Sequence, residues 1–134
     1  MIHRTHRFHG RGSLRFVYQR GLAVRGVHSS LKYIRNNRIQ TYRAAVVVSR
    51  KVSKSAVVRN RIRRRMYEVL REFESYIQDP YDLVFIIYSD DLASLDHKTL
   101  RAMILTQLKK AGVIDVKRPP RTDSHDIVEV KEKN

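Results

Sequence analysis

The alternation of apolar and polar residues predicts a small β-sheet. Residues 42–49 and 82–88 are apolar on both faces of an extended strand, which is typical of strands inside a sheet rather than at its edge. Residues 27–34 instead alternate, with Tyr33 on the apolar face, and predict a half-exposed strand. A shorter strand is expected at residues 23–25.

Three segments have the periodicity of amphipathic helices. The clearest is residues 55–76, in which apolar side chains recur at spacings of three and four and form one stripe. Residues 96–111 predict a second helix, which Gly112 closes, and residues 14–20 predict a short one, which Gly21 closes. Both glycines are expected in the left-handed conformation that often ends a helix.

The order of these elements predicts an α+β fold. We expect a small, mostly antiparallel sheet of about four strands, with helices packed on one face. A single domain is expected at residues 14–113, after a flexible basic arm at residues 1–13 that lacks apolar periodicity. Residues 114–134 contain two prolines and alternating charges, and predict a disordered tail.

Charge is distributed very unevenly along the chain. The 134 residues carry a formal net charge of +15. Residues 1–67 contain 18 Lys and Arg side chains and no Asp or Glu, whereas residues 68–134 contain 10 basic and 13 acidic side chains. A folded polycation repels itself unless a polyanion covers its surface, so nucleic acid is the first candidate partner.

Composition disfavours several other classes of function. Without cysteine, the chain can form no disulfide, thiolate metal site or thiol nucleophile. The longest apolar run, residues 83–88, is far shorter than the roughly 18 residues of a membrane span, and no lipidation signal is present. An organelle transit peptide is disfavoured because the acid-free composition continues to residue 67, through predicted strands and a helix.

The long predicted helix carries a concentrated set of polar side chains, namely Arg59, Asn60, Arg61, Arg63, Arg64 and Arg65. At about 100° per residue, Arg59 and Arg63 flank one side of the apolar stripe. Arg61 and Arg65 flank the other side, and Arg64 lies opposite the stripe. Helix dipoles favour acids near the first turn by about 0.3–1 kcal/mol, so this order opposes stability and favours contact with phosphates.

A longer motif surrounds these arginines. Residues 49–64 read Ser-Arg-Lys-Val-Ser-Lys-Ser-Ala-Val-Val-Arg-Asn-Arg-Ile-Arg-Arg, between a predicted strand and the long helix. This stretch resembles the signature of the bacterial ribonuclease P protein subunit, in which a strand ends in Ser-Lys-Lys and Ala-Val-x-Arg-Asn-Arg opens a helix. The resemblance extends from Arg7, Phe8 and Gly10 to Gly112, about 80% of the chain.

The resemblance implies both a fold and a function. The fold would contain a left-handed βαβ crossover, against the usual right-handed rule. The family subunit joins a catalytic RNA that removes the 5′ leader of precursor tRNA, so the chain would be the protein part of an endoribonuclease whose Mg²⁺-dependent catalytic centre lies in the RNA. The implied partners are ribonuclease P RNA and precursor tRNA. The protein is expected in the bacterial cytoplasm, monomeric outside the ribonucleoprotein and not bound to a membrane.

The resemblance also implies two binding surfaces. Residues expected to contact the catalytic RNA are Arg59, Asn60, Arg61, Arg63 and Arg64, with Arg65 as an additional candidate. The single-stranded leader would lie in a cleft on the open face of the sheet, beside the first helix. The residues expected there are Tyr18, Arg50 and Lys51, together with Phe16 and Tyr33. Aromatic stacking over a basic groove contributes roughly 1–3 kcal/mol per base.

Three positions depart from the family pattern. Leu14 stands where many members place the first aromatic residue of the cleft, so a stacking pair is not expected there. Tyr67 occupies a common arginine position, which ends the basic stripe earlier. The loop at residues 52–55 is one residue longer than in many relatives, and leaves Ser53 and Ser55 as alternative caps of the long helix.

Other chemistry is disfavoured, and one alternative function stays open. His3, His6 and His9 are spaced by three, but neighbouring arginines repel a cation, so no metal site is expected. Asp90 and Asp91 precede a helix and are interpreted as partners of its dipole. No Ser-His-acid arrangement is recognisable, so no catalytic residue is assigned. The alternative is a general basic RNA-binding protein, of ribosomal or RNA-chaperone type, supported by charge alone.

Overall fold

A computed structural model of the chain describes residues 11–115 and 117–120. The helices are α1 (Arg11–Arg20), α2 (Ala56–Phe73) and α3 (His97–Lys110); the strands are β1 (Leu22–Arg25), β2 (Ser29–Arg35), β3 (Arg43–Val47) and β4 (Tyr81–Ile87). Short 3₁₀ turns follow α2 at Glu74–Tyr76 and precede α3 at Asp90–Ala93. Within the described ranges, no helix has the length and apolar composition needed to cross a membrane.

The four strands form one mixed sheet in the order β1-β2-β4-β3. β2 pairs antiparallel with both β1 and β4, whereas β3 and β4 are parallel. The connection from β3 through α2 to β4 is therefore a βαβ unit whose strands are direct neighbours. The predicted α+β fold with a mostly antiparallel sheet is confirmed, and the left-handed sense of the crossover stays a prediction of the resemblance.

The third strand lies at an edge of the sheet, so the prediction that residues 42–49 form an interior strand is wrong. Its side chains are nevertheless buried on both faces. Ala44 and Val46 belong to the core shared with α2 and α3, and Ala45 packs with Val17 of α1 on the other face. The run of apolar residues therefore reflects the helices that cover the strand on both faces. A strand at the edge of a sheet can be covered in this way as well as an interior strand.

Helices cover both faces of the sheet, which corrects the prediction of helices on one face. α2 and α3 enclose the larger core as expected. α1 lies on the opposite face, where fully buried Val17 packs with Val84 of the central strand β4. Because α1 is only ten residues long, it covers part of this face, and Val47 and Ile86 remain half-buried.

The N-terminal helix is longer than its sequence pattern predicts. α1 begins at Arg11 rather than at Leu14, so residues 11–13, which were assigned to the basic arm, are helical. Leu14 packs against the small core formed around Val17. The remainder of the predicted arm, residues 1–10, lies outside the described part of the chain.

The C-terminal boundary of the domain also differs from the prediction. Ile114, the first residue of the predicted tail, is buried in the main core. Gln78 Nε2 donates a hydrogen bond to Pro119 O at 2.6 Å, and Arg118 pairs with Asp79 at 3.1 Å. The beginning of the predicted disordered tail is therefore packed onto the domain, whereas its last residues lie outside the described ranges.

Gly21 ends α1 without the left-handed conformation that was predicted. Among the described residues only Gly112, with φ of 76°, has a positive φ. A Cβ atom on Gly21 would lie 2.6 Å from Val17 O and 2.9 Å from Tyr33 O. Glycine is required here because the backbone of the last turn of α1 and the backbone of β2 both crowd the position of a Cβ atom.

We expect Gly21→Ala to lower the free energy of unfolding by about 1–3 kcal/mol, because both crowding atoms belong to the backbone and cannot rotate away. Gly12→Ala is the matched control, since a Cβ there meets no atom within 4 Å. It should be neutral or stabilise α1 by up to about 1 kcal/mol. Urea unfolding of the two variants measures both effects, and equal destabilisation would contradict this account of Gly21.

Candidate nucleic-acid interface

The start of α2 is defined by a side-chain cap. Ser55 Oγ accepts a hydrogen bond from the backbone N–H of Val58 at 3.2 Å, which resolves the choice between the two serines. Ser53 Oγ accepts instead from the N–H of Ser55. Further along the helix, Tyr67 is buried and its hydroxyl accepts from Val46 N–H in β3, so this residue belongs to the core and not to the basic surface.

One side of α2 faces the loop that connects it to β3. Arg59 Nη1 donates to the carbonyl of Ser53 at 2.9 Å. Arg63 donates to Asn60 Oδ1 at 2.7 Å and to the carbonyl of Val48 at 3.5 Å. Asn60 therefore orients an arginine of its own helix. This contact explains structurally why an asparagine stands in the Arg-Asn-Arg motif.

The other side of α2 faces the 3₁₀ turn before α3. Arg61 Nε donates to Ala93 O at 2.7 Å. Arg65 donates to Leu92 O at 2.7 Å and also to Leu95 O. Because Arg65 is half-buried and directs two nitrogens at this turn, its position is that of a clamp between α2 and the turn, unlike the more exposed Arg61.

Asn60 and Arg64, one helical turn apart, are both exposed, and for Arg64 this agrees with its predicted position opposite the apolar stripe. Arg64 is exposed, and neither it nor Glu68 one turn later has a hydrogen-bond or ion-pair partner among the described residues. None of the arginines at positions 59–65 pairs with a carboxylate within the described ranges. Their acceptors are carbonyl oxygens and one amide oxygen, which orient the guanidinium groups without neutralising them. We refer to Arg59, Asn60, Arg61, Arg63 and Arg64 as the arginine surface.

The exposed aromatic residues of α1 lie on its two opposite flanks. Val17 faces the sheet, while Phe16 and Tyr18, its neighbours in sequence, are 42% and 38% exposed. Lys32 of β2 lies beside Tyr18, with Nζ 5.7 Å from the ring centroid and 3.2 Å from Tyr18 O. Partial burial raises the pKa of the Tyr18 phenol above its ordinary value of 10.0.

The part of the sheet next to Tyr18 is lined by residues that share one strand face. Strand register places Ser30 opposite Ile86 and Lys32 opposite Val84. Tyr88, immediately after β4, is 43% exposed, and its hydroxyl contacts Ser30 Oγ. We refer to Tyr18, Ser30, Lys32, Ile86 and Tyr88 as the open-face site.

Sequence reasoning missed Lys32 and Tyr88 as members of this site. A signal for Lys32 was present, because alternation in β2 puts it on the face opposite Tyr33. Tyr88 follows a strand that is apolar on both faces, so the pattern did not indicate which face its ring would occupy.

Two predicted members of the cleft are placed differently. Tyr33 packs against the main core and meets Tyr81 edge-on at 6.5 Å, so it lies on the face opposite Tyr18 and cannot line a cleft with it. Phe16 lies on the other flank of α1. Arg50 and Lys51 are exposed in the loop after β3, where they line a shallow depression with Lys54 at the end of the sheet from which α2 starts.

Acidic and histidine side chains do not gather into a cation site in the described ranges. No group of three such residues is arranged as metal ligands would be at residues 11–115 and 117–120. Asp90 and Asp91 lie in the first turn of the 3₁₀ segment, whose cap is Ser89. His3, His6 and His9 lie outside the described residues.

We expect Arg65→Ala to lower the free energy of unfolding by about 2 kcal/mol, because hydrogen bonds from a charged donor to the turn at Leu92 and Leu95 are lost. Arg64→Ala, its neighbour on the exposed side, should change stability by less than about 0.5 kcal/mol. Urea unfolding distinguishes the two, and similar stability losses would argue against the clamp role of Arg65.

Comparison with known proteins identifies a family and several relatives of this chain. The Ribonuclease P family model matches residues 2–112. The chain is 36% identical to the ribonuclease P protein component of Caldanaerobacter subterraneus. The alignment spans 101 residues, which are 75% of this chain and 84% of the relative. The chain is also 33% identical to the ribonuclease P protein component of Synechocystis sp. This alignment spans 100 residues, which are 74% of this chain and 79% of the relative.

Solved structures support the same fold. The Staphylococcus aureus RNase P protein superimposes with a TM-score of 0.73 at 23% identity, over 82% of this chain and 98% of that protein. The Thermotoga maritima RNase P protein superimposes with a TM-score of 0.70 at 24% identity, over 78% of this chain and 96% of that protein. The match of the family model to most of the chain, together with these relatives, shows that the chain belongs to the ribonuclease P protein family.

Proposed function

We propose that this chain binds the catalytic RNA of ribonuclease P through the arginine surface and the 5′ leader of precursor tRNA through the open-face site. In this role it promotes endonucleolytic maturation of tRNA in the bacterial cytoplasm, and it is a monomer until it joins the RNA. Membership of the family supports an association with ribonuclease P RNA. The side chains of the arginine surface and of the open-face site support the assignment of the catalytic RNA to the first and of the leader to the second.

The observation that carries the proposal is the state of the arginines on α2. They are oriented by neutral acceptors and have no carboxylate partner among the described residues, so their charge is available to a ligand. A guanidinium group presents donors in a planar fork that matches a phosphate. Pre-orientation reduces the side-chain entropy that binding would otherwise cost, about 0.5–1.5 kcal/mol for each immobilised side chain.

The open-face site fits a single-stranded leader. Tyr18 and Tyr88 offer exposed aromatic rings, and Lys32 of β2, beside Tyr18, provides a cation. Bases stack on aromatic rings without strong sequence preference, which suits leaders of varied sequence. Arg50 and Lys51, in the loop after β3, would contact phosphates where the strand leaves the site.

The chemistry of hydrolysis is assigned to the RNA. A Mg²⁺ ion bound there would activate water and stabilise the leaving oxygen. The contribution of this chain is electrostatic, because a polycation between two RNA molecules reduces their mutual repulsion. Less Mg²⁺ is then needed to bring catalytic RNA and substrate together.

Reconstitution tests the function as a whole. Adding the protein to ribonuclease P RNA at low Mg²⁺ should increase the rate of leader removal from precursor tRNA, because it replaces the counterions that the two RNA molecules need. The measurement is single-turnover cleavage over a range of Mg²⁺ concentrations. Unchanged cleavage at every concentration would instead favour a general RNA-binding protein, which the charge alone also allows.

The arginine surface should act on the catalytic RNA. We expect the double variant Arg61→Ala with Arg64→Ala to weaken its binding and to reduce the slope of log affinity against log salt by about 1.5, since two phosphate contacts are lost. Lys109→Ala with Lys110→Ala removes the same charge from the exposed end of α3 and is the control. An equal loss in both double variants would show that only net charge matters.

The open-face site should act on the substrate. Tyr18→Ala is expected to weaken binding of precursor tRNA to the holoenzyme by about tenfold, through lost stacking, and to leave mature tRNA unaffected. Filter-binding assays on the two tRNA forms measure the difference. If both forms lose affinity equally, Tyr18 does not contact the leader.

A further inference from the structure

A separate cavity lies on the flank of α1 that faces away from Tyr18. Its volume is about 360 Å³, which falls within the range of roughly 300–1,000 Å³ typical of small-molecule sites. The lining residues are Gly12, Ser13 and Phe16 from α1, Asn36 and Arg38 from the β2–β3 connection, and Arg43 and Asp82 from the sheet. Sequence reasoning assigned Phe16 to the leader cleft, but the structure places it here.

The floor of this cavity is a rigid polar cluster. Asp82 is only 1% exposed, and its carboxylate accepts hydrogen bonds from Arg43 at 2.9 and 3.1 Å and from Asn36 Nδ2 at 2.9 Å. Asn36 Oδ1 in turn accepts from the backbone N–H of Arg38 at 3.0 Å. The buried carboxylate thus compensates Arg43 and fixes the backbone from which Arg38 projects.

The open side of the cavity combines an aromatic ring with a cation. Phe16 is 42% exposed although it is strongly apolar. The guanidinium of Arg38 is exposed and has no hydrogen-bond or ion-pair partner among the described residues. Since Asp82 offsets Arg43, the cavity keeps an excess of one positive charge, which suits a single phosphate rather than a highly charged polyanion.

We propose that this cavity, the Phe16 pocket, binds one unpaired nucleotide of RNA, with its base stacked on Phe16 and its phosphate paired with Arg38. A simple anion would use the arginine but would leave the exposed ring unexplained, whereas a nucleotide uses both. The inference rests on the proposed function in one respect, that the chain binds single-stranded RNA. α1 separates the Phe16 pocket from the open-face site, so the two sites hold different nucleotides.

The test is an NMR titration of the ¹⁵N-labelled full chain with adenosine monophosphate and, in parallel, with inorganic phosphate. Adenosine monophosphate should shift the amide resonances of Ser13, Asn36 and Arg38. We expect Phe16→Ala to weaken this binding about tenfold and Arg38→Gln about fivefold, while Phe16→Tyr retains it. Val57→Ala, a change at an exposed apolar residue of α2, is the control and should have no effect.

Several outcomes would overturn the Phe16 pocket. Equal affinity for inorganic phosphate and for adenosine monophosphate would reduce it to a simple anion site. Shifts confined to Tyr18 and Lys32 would reject the pocket and leave the open-face site intact. Contacts between Phe16 and residues 1–10 that persist at saturating ligand would show that the chain itself fills the cavity. The catalytic-RNA assay of the Arg61 and Arg64 variants is independent of all three results.

The source of the nucleotide is resolved with Phe16→Ala in the reconstituted system. Weaker binding of precursor tRNA, with mature tRNA unchanged, would identify a nucleotide of the leader. Weaker binding of ribonuclease P RNA alone would identify a nucleotide of the catalytic RNA. Either result supports the pocket, and unchanged affinity for both RNAs would contradict it.

Discussion

The structure depends on how α2 buries an apolar stripe while five arginines at positions 59–65 remain charged. Like charges one turn apart repel, and cations near a helix N-terminus oppose the dipole. The fold meets this constraint with carbonyl oxygens from the loop before α2 and from the turn before α3, which orient the side chains without cancelling their charge. Such an arrangement leaves electrostatic repulsion that a bound polyanion would relieve, as the proposed function requires.

The βαβ unit explains why these acceptors are available. β3 leads into the loop on one side of α2, and the chain leaves β4 into the 3₁₀ turn on the other. Because β3 and β4 are parallel neighbours, both connections lie at the same end of the sheet. The helix is therefore flanked by two irregular segments, each with carbonyl groups that have no partner within a regular element and can accept from arginine.

The opposite face of the sheet is organised by α1. Its buried Val17 fixes the helix against the sheet and directs Phe16 and Tyr18 to opposite flanks, each beside a different set of polar residues. One short helix thereby divides the face into the open-face site and the Phe16 pocket. Gly21 allows this helix to end close enough to β2 for that division.

Local pattern alone determined the α+β class, the position of α2, and the distribution of its arginines around the stripe, because helical periodicity relates neighbours that are close in sequence. Only tertiary structure decided that β3 is an edge strand and that α1 covers the second face of the sheet. It also decided that Tyr33 lies on the face opposite Tyr18, and that Tyr88 lies on the same face as Tyr18. These features depend on pairing between strands distant along the chain, and a strand that is apolar on both faces contains no information about its neighbours.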